Sequence, residues 1–211
     1  MSTSSLRQRQ AAATRRRVTR AARQVFTARG YSSATIAEVA KAAGVAVPTV
    51  YKLYRSKRGL LAAVIEGWRS EFVPERFEAV PADPAAALAF WAETIRRQWQ
   101  NGLDIAALLA GAAASEPEVA DELSARLKVR DAWVRRVAEI IEPSLASGLT
   151  SAQAAALLSA LALPELYREL VIVRGWTPDA YQAWLERTLI SQLLATSQPR
   201  SRRTKAPEGP A

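Results

Sequence analysis

Residues 35–54 limit the possible folds more than any other part of the sequence, because they predict two short helices joined by a tight turn. Thr35 precedes an apolar helical pattern and Glu38 follows three residues later, which is the pattern of an N-terminal capping box. Gly44 ends that helix. A second short helix follows, with Pro48 in its first turn, where a missing N–H costs nothing.

Two helices that cross this closely place strict demands on three positions. The first helix needs a small residue near its middle, the turn needs a residue that tolerates positive φ, and the second helix needs an inward apolar residue. These positions hold Ala40, Gly44 and Val50. The spacing favours a helix-turn-helix over about residues 34–54, and an ordinary αα-hairpin with a glycine cap is the alternative that uses the same residues.

The rest of the sequence also predicts helices, and no sheet is expected. A first helix carries Val18, Ala22 and Phe26 at helical spacing and stops at Gly30. The β-branched runs and regular spacing of strands are absent, so the predicted fold class is all-α. Further helices are predicted from Lys57 until Pro74, and at about 84–101, 103–114, 117–142, 151–173 with a break or kink at Pro164, and 178–195.

The sequence contains no cysteine and no histidine. Disulfides, thiolate nucleophiles, Cys/His zinc sites and Ser-His-Asp catalysis are thereby excluded, and no paired-carboxylate or glycine-rich phosphate motif replaces them. We therefore expect no enzyme, no catalytic or metal-binding residue and no cofactor. No stretch approaches the ~18 apolar residues of a membrane span, so a soluble, cytoplasmic protein without a membrane partner is expected.

The net charge of +9 is unevenly distributed along the chain. Residues 1–58 carry a balance of +12 with Glu38 as their only acid, residues 59–197 carry −6, and residues 198–211 carry +3. A basic head on an acidic body is expected when one end meets a polyanion, because phosphate neutralisation supplies most non-specific affinity. Double-stranded DNA is the predicted partner, although the arginines of residues 7–17 have an alternative interpretation as a solvated tail.

Three segments together resemble the signature of the TetR family of bacterial repressors. They are AEVAKAAGV at 37–45, PTVY at 48–51 and KRGLL at 57–61. The upstream run AARQVF at 21–26, with Gly30-Tyr31 and Thr35, is similar to the first helix of that family. The resemblance covers about residues 15–65 without a gap.

The resemblance implies a homodimer of helical subunits that reads DNA and binds a small effector. The predicted domains are a flexible basic arm (1–13), a three-helix helix-turn-helix domain (14–58), a helical effector-binding and dimerisation domain (59–197) and a disordered basic tail (198–211). The implied function is a sequence-specific transcriptional regulator, a repressor released from a palindromic operator by a hydrophobic effector. A non-specific nucleoid-type DNA-binding protein is the alternative.

Carried onto this sequence, the resemblance implies one set of DNA-contacting residues. Thr35 would cap the second helix against a phosphate, Tyr51 and Lys57 would reach two others, and the bases would face the start of the recognition helix. The full set is Thr35, Val47, Pro48, Thr49, Tyr51, Lys52 and Lys57. Ala46 departs from the common Ser or Thr cap, and the apolar Val47 suits a thymine methyl. The arginines at 15–17 fit either the DNA backbone, the minor groove or a solvated arm.

The C-terminal part contains aromatic and aliphatic residues that fit either a ligand pocket or a plain core. The pocket candidates are Trp91, Trp99, Leu108, Trp133 and Val137, with Glu93, Arg97, Gln98 and Asn101 as possible polar contacts. The last two predicted helices carry more apolar surface than one hairpin can hide, which favours a four-helix dimer interface, with a monomer as the alternative. The residues concerned are Leu157, Leu158, Leu161, Leu166, Trp184, Leu185, Leu189 and Leu193.

Overall fold

The structure is a computed structural model that describes residues 3–72 and 80–195. Over these ranges the chain forms nine α-helices and no strand longer than an isolated bridge between Leu145 and Leu194, which confirms the predicted all-α class. The helices are α1 (Thr3–Arg29), α2 (Ile36–Ala43), α3 (Val47–Tyr54), α4 (Lys57–Phe72), α5 (Pro84–Ala113), α6 (Pro117–Ile141), α7 (Ser151–Leu161), α8 (Pro164–Tyr167) and α9 (Pro178–Leu193).

The first helix is longer than the sequence predicted. It begins at Thr3, so residues 3–13 continue α1 where a flexible arm was expected. The physical reason is composition, because this stretch is rich in Ala, Arg and Gln, which have high helix propensity even without a buried face. The predicted disordered tail, 198–211, lies outside the described residues.

The helix-turn-helix prediction agrees with the local geometry of α2 and α3. The hydroxyl of Thr35 accepts a hydrogen bond from the backbone N–H of Glu38 at 3.2 Å, and the Glu38 carboxylate accepts from the Thr35 N–H at 2.8 Å, which completes the capping box. Gly44 adopts a left-handed conformation with φ of 61°. Ala40 and Val50 are almost fully buried where the two helices cross.

A kink divides α5 where the sequence predicted two helices. Gly102 has φ of −145° and ψ of 15°, yet the helix continues on both sides of it. The Trp68 indole of α4 lies directly against this glycine, and a Cβ at position 102 would overlap the indole ring. Glycine is therefore required for the close approach of α4 rather than for an unusual φ.

The predicted helix at 151–173 is interrupted at Pro164, as the sequence indicated. Helix α7 ends at Leu161, the short α8 begins at Pro164, and residues Arg168–Val173 continue as a π-helix. A 3₁₀ turn at Glu142–Ser144 follows α6. In the described ranges no helix combines the length and the apolarity needed to cross a membrane.

Two hydrophobic cores form, and α5 contributes to both of them. The head, defined as α1–α3, shares its core with α4 and the second half of α5, including Leu60, Ile105 and Leu108. The body, defined as α6–α9 with the first half of α5, has its own core. Trp68 packs against both cores, so the predicted boundary after residue 58 is not a gap in the packing.

Candidate nucleic-acid interface and adjoining cavity

Helix α3 presents one face to solvent and one to the head's core. Val50 is 1 % exposed and points inward, whereas Val47 and Tyr51 are 37 % and 50 % exposed. Pro48 and Lys52 are also exposed, and Thr49 is half-buried. Five of the predicted DNA-contacting residues therefore lie on α3 at or near its outer face, in the arrangement that lets a helix enter a major groove.

The two tyrosines of α3 have different surroundings. The Tyr54 hydroxyl lies 2.9 Å from the Thr19 hydroxyl and donates to the Arg15 carbonyl at 3.0 Å, so it fixes α3 on α1. The Tyr51 hydroxyl makes no hydrogen bond within the described ranges. Tyr51 is therefore available to an external acceptor, while Tyr54 is a structural residue that sequence reasoning did not single out.

Thr35 and Lys57 are both engaged inside the head. The Thr35 hydroxyl lies 2.9 Å from a Glu38 carboxylate oxygen, so a phosphate would compete with Glu38 for its proton. The Lys57 ammonium donates to the Ser32 carbonyl at 3.0 Å and lies 4.5 Å from the centre of the Tyr31 ring. An ammonium has three N–H donors, so Lys57 keeps capacity for a phosphate while its position is held.

Glu38, the single acid of the first 58 residues, is internally neutralised. Hydrogen bonds from the Thr35 backbone N–H and hydroxyl lower the pKa of its carboxyl, and the nearby Arg29 guanidinium lowers it further. Arg29 Nη1 lies 2.6 Å from the Glu38 carboxylate. The acid is thus ionised and paired, and it adds no uncompensated negative charge to a surface with exposed Arg15, Arg16 and Arg17 on α1.

A cavity of about 1470 Å³ lies beside the head, between α4, α5, α6 and the α8 segment. Trp91, Trp99 and Trp133 line it, as the pocket hypothesis expected. Leu108 and Val137 do not line it, which corrects that part of the hypothesis. The kink at Gly102 turns Leu108 toward the head's core, and Val137 is fully buried in the body's core.

Of the polar residues predicted to contact a ligand, some line the cavity and others do not. Gln98 and Asn101 line it, whereas Glu93 and Arg97 do not and instead form a 3.7 Å ion pair with each other. Sequence reasoning missed Trp68 and Arg130, and also Pro164 and Glu165 of α8. The signal for Arg130 was its spacing of three residues from Trp133, which places both side chains on one face of α6.

The apolar residues predicted for dimerisation fall into two groups. Leu158, Leu185, Leu189 and Leu193 are fully buried within the subunit and cannot form an interface. Leu157 is 38 % exposed, and Leu161, Leu166 and Trp184 are half-buried. Three further apolar side chains are exposed on the π-helix and the turn after it, namely Ile172, Val173 and Trp176.

Comparison with known proteins finds one matching family model and several solved structures with a similar fold. The family profile described as "Bacterial regulatory proteins, tetR family" matches residues 18–64, and no curated protein matches. NalD of Pseudomonas aeruginosa, the secondary repressor of the MexAB-OprM multidrug efflux pump, is 20% identical with a TM-score of 0.66, over 88% of this chain and 98% of NalD.

Two further solved structures have the same fold. FadR of Bacillus subtilis, in complex with stearoyl-CoA, is 20% identical with a TM-score of 0.66, over 83% of this chain and 97% of FadR. A TetR transcription regulator of Haloarcula marismortui is 16% identical with a TM-score of 0.66, over 86% and 99% of the two chains. At 16–20% identity, these matches show a shared fold over 83–88% of this chain.

Proposed function

Because the chain belongs to the tetR family of bacterial regulatory proteins, we propose that it is a dimeric repressor that a hydrophobic effector releases from a palindromic operator. The outer face of α3 carries this proposal. Val47, Pro48 and Thr49 stand at the start of the helix, where base edges are read, and Tyr51 follows one turn later with a free hydroxyl for a phosphate. An apolar contact from Val47 suits the methyl group of thymine.

A two-fold dimer is proposed because a palindrome requires two heads related by symmetry. It is supported by the apolar side chains of Leu157, Ile172, Val173 and Trp176, which are between 37% and 61% exposed in the subunit. Exposed apolar residues grouped on one segment are typical of an interface. The isologous contact would be made by α7, the π-helix and α9 rather than by the buried leucines.

The proposed release rests on α4, which reaches from the DNA-binding head to the cavity. Its first residue, Lys57, contacts the loop before α2, and Trp68 near its other end lines the cavity. An effector that fits one position of Trp68 better than another would shift α4 and change the separation of the two heads. NalD is a repressor and FadR binds stearoyl-CoA, and both have this fold.

The test of the proposed function is selection of bound sites from random double-stranded DNA by the purified full-length chain. We expect a palindromic site bound about 10³-fold or more tightly than random DNA. A preference below about tenfold with a steep salt dependence would instead support the nucleoid-type alternative, which the basic head favours. Compounds that release the selected site would then be sought.

The dimer has its own test in sedimentation of the purified chain. Val173→Glu places a charge on the exposed apolar face, outside the cavity wall, and should shift the protein toward monomer. Arg135→Glu, an exposed position on α6, is the matched control and should leave the dimer intact. A wild-type monomer at concentrations that saturate the operator would contradict the dimeric part of the proposal.

A further inference from the structure

The walls of the cavity are mainly aromatic and aliphatic. Trp91, Ile95 and Trp99 follow one another at four-residue spacing on α5, and Trp133 faces the same space from α6. The volume of about 1470 Å³ exceeds the ~300–1,000 Å³ of ordinary ligand pockets. A molecule that fills it must therefore have a long or bulky apolar part.

The charged side chains around the cavity are mostly basic. Four arginines and two carboxylates line it, namely Arg23, Arg69, Arg130, Arg168, Asp104 and Glu165. Both carboxylate oxygens of Asp104 accept hydrogen bonds from Arg23, and Glu66, outside the cavity wall, pairs with Arg69. Arg130 forms a 3.3 Å ion pair with Asp131, which like Glu66 lies outside the cavity wall, so the wall itself carries four arginines against two carboxylates, an excess of positive charge.

Arg130 has hydrogen-bonding capacity that its own subunit does not use. Its Nε is buried and has no hydrogen-bond partner in the described part of the chain, and its Nη2 makes a 3.3 Å contact with Asp131. A buried donor without an acceptor is costly, and a planar guanidinium matches a carboxylate or phosphate with two parallel bonds. Trp133, one turn away, supplies apolar surface beside this cation.

Two residues of the cavity wall have a buried N–H donor without a hydrogen-bond partner in the described part of the chain. Among the described residues the buried side-chain polar atoms without a partner are Trp68 Nε1, Arg130 Nε and the Tyr181 hydroxyl. Trp68 and Arg130 belong to the cavity wall, while Tyr181 lies in the body's core. The Trp68 indole nitrogen lies against Gly102, so Arg130 is the donor of the two that an acceptor oxygen of a ligand would complement, whereas a cationic ligand would place a like charge beside its guanidinium.

We infer that the cavity binds an amphiphilic anion, with its apolar chain among the tryptophans and its oxyanion, a carboxylate or a phosphate, on Arg130. The inference rests on the proposed function only for the ligand's role as the effector. Binding itself depends on the cavity and on Arg130.

The test is titration of the purified full-length chain with four molecules that share one C12 chain. The probes are dodecanoate, dodecyl phosphate, dodecanol and dodecyltrimethylammonium, each below its micelle concentration. Tryptophan fluorescence reports binding, because four of the six tryptophans line the cavity. We expect at least one anion to bind about tenfold more tightly than the alcohol, and the cation to bind most weakly. The preferred anion identifies the head group as carboxylate or phosphate.

Variants locate the head group. Arg130→Gln should lower affinity for the preferred anion about tenfold and leave affinity for dodecanol unchanged, which also shows that the cavity is intact. Arg136→Gln, exposed on the same helix and outside the cavity wall, is the matched control and should retain the preference. The cation binding more tightly than both anions, or an unchanged anion preference in Arg130→Gln, would overturn the inference.

Operator titration in the presence of the preferred anion separates this inference from the proposed function. An anion that binds through Arg130 and weakens operator binding supports both. An anion that binds through Arg130 without changing operator affinity supports the cavity assignment and contradicts the induction step of the proposed function.

Discussion

Arg23 of α1 contacts both carboxylate oxygens of Asp104 on α5, at 2.7 Å from Nε and 2.5 Å from Nη2. The same guanidinium donates to the Asn101 carbonyl at 2.5 Å, next to the kink at Gly102. One side chain of the DNA-binding head is thereby attached to the bend of the helix that lines the cavity.

The first prediction concerns this attachment. Arg23→Gln and Asp104→Asn should each lower the free energy of unfolding, by about 1 kcal/mol or less, because the two side chains are 32% and 41% exposed and water screens their interaction. The double variant should lose less than the sum of the two. Urea unfolding of the four proteins measures the coupling, and strictly additive losses would contradict a direct interaction.

The second prediction uses the two tyrosines of α3. Tyr51→Phe should weaken operator binding about tenfold on all sequences and leave stability unchanged, because its hydroxyl has no acceptor within the described ranges. Tyr54→Phe, the matched control, should lower the free energy of unfolding by about 1 kcal/mol, because its hydroxyl joins α3 to α1. Val47→Ala should change which sites are preferred.

These DNA contacts are measured by titrating the selected operator and several altered sites with each variant. If Tyr51→Phe and Val47→Ala had the same uniform effect on every site, the separate roles of phosphate contact and base contact would be wrong. If Tyr54→Phe weakened DNA binding with no loss of stability, Tyr54 would belong to the interface instead.

The third prediction concerns the close approach at the kink. Gly102→Ala should lower the free energy of unfolding by about 1–3 kcal/mol, because the added Cβ overlaps the Trp68 indole. The effect should shrink in a Trp68→Ala background, where that overlap is absent. Gly67→Ala is the control within a helix, since a Cβ there contacts nothing nearby. If Gly102→Ala lowered the free energy of unfolding equally in both backgrounds, the need for glycine at position 102 would come from the backbone and not from the Trp68 contact.

The fourth prediction is a pH dependence at Glu38. Hydrogen bonds from Thr35 lower its pKa below the ordinary value of 4.5 in the folded protein, so its contribution to stability is present above that value and lost as pH falls through the lowered pKa. The free energy of unfolding of wild type should therefore exceed that of Glu38→Gln at neutral pH, and the difference should shrink as pH falls below 4.5 and through the lowered pKa of Glu38.

Glutamine at this position can still complete the capping box, so the comparison isolates the charge. Thr35→Ala, which removes the hydroxyl but keeps the backbone N–H, should retain part of the pH dependence. Urea unfolding across the pH series measures it. A stability difference between wild type and Glu38→Gln that stayed constant with pH would contradict the assigned pKa shift.

The sequence predicted the features that depend on neighbours along the chain. The capping box at Thr35, the left-handed turn at Gly44 and the break at Pro164 all follow from local chemistry, and the structure has each of them. Helical spacing could not distinguish residues that line the cavity from residues that fill the core. Trp133 and Val137 lie one turn apart on α6, yet only Trp133 reaches the cavity, because what covers each residue comes from distant helices.

The kink at Gly102 explains the other failure of sequence reasoning. The sequence predicted separate helices at 84–101 and 103–114, but it gave no angle between them, so it could not show that Trp99 faces the body's core and Leu108 the head's core on either side of the non-helical Gly102. Helical periodicity does not give the direction of a bend at a single residue, which here lies against the Trp68 indole.

The division of α5 between two cores also restricts how such a chain can evolve. A recombination event that joined residues 1–58 to the body of another regulator would leave behind Leu60, Ile105, Leu108 and Leu109, which complete the core beneath the head. The head is therefore not an exchangeable cassette. Point substitutions on the outer face of α3, the proposed DNA-contacting face, are more accessible, because Val47, Pro48 and Tyr51 are exposed and belong to neither core.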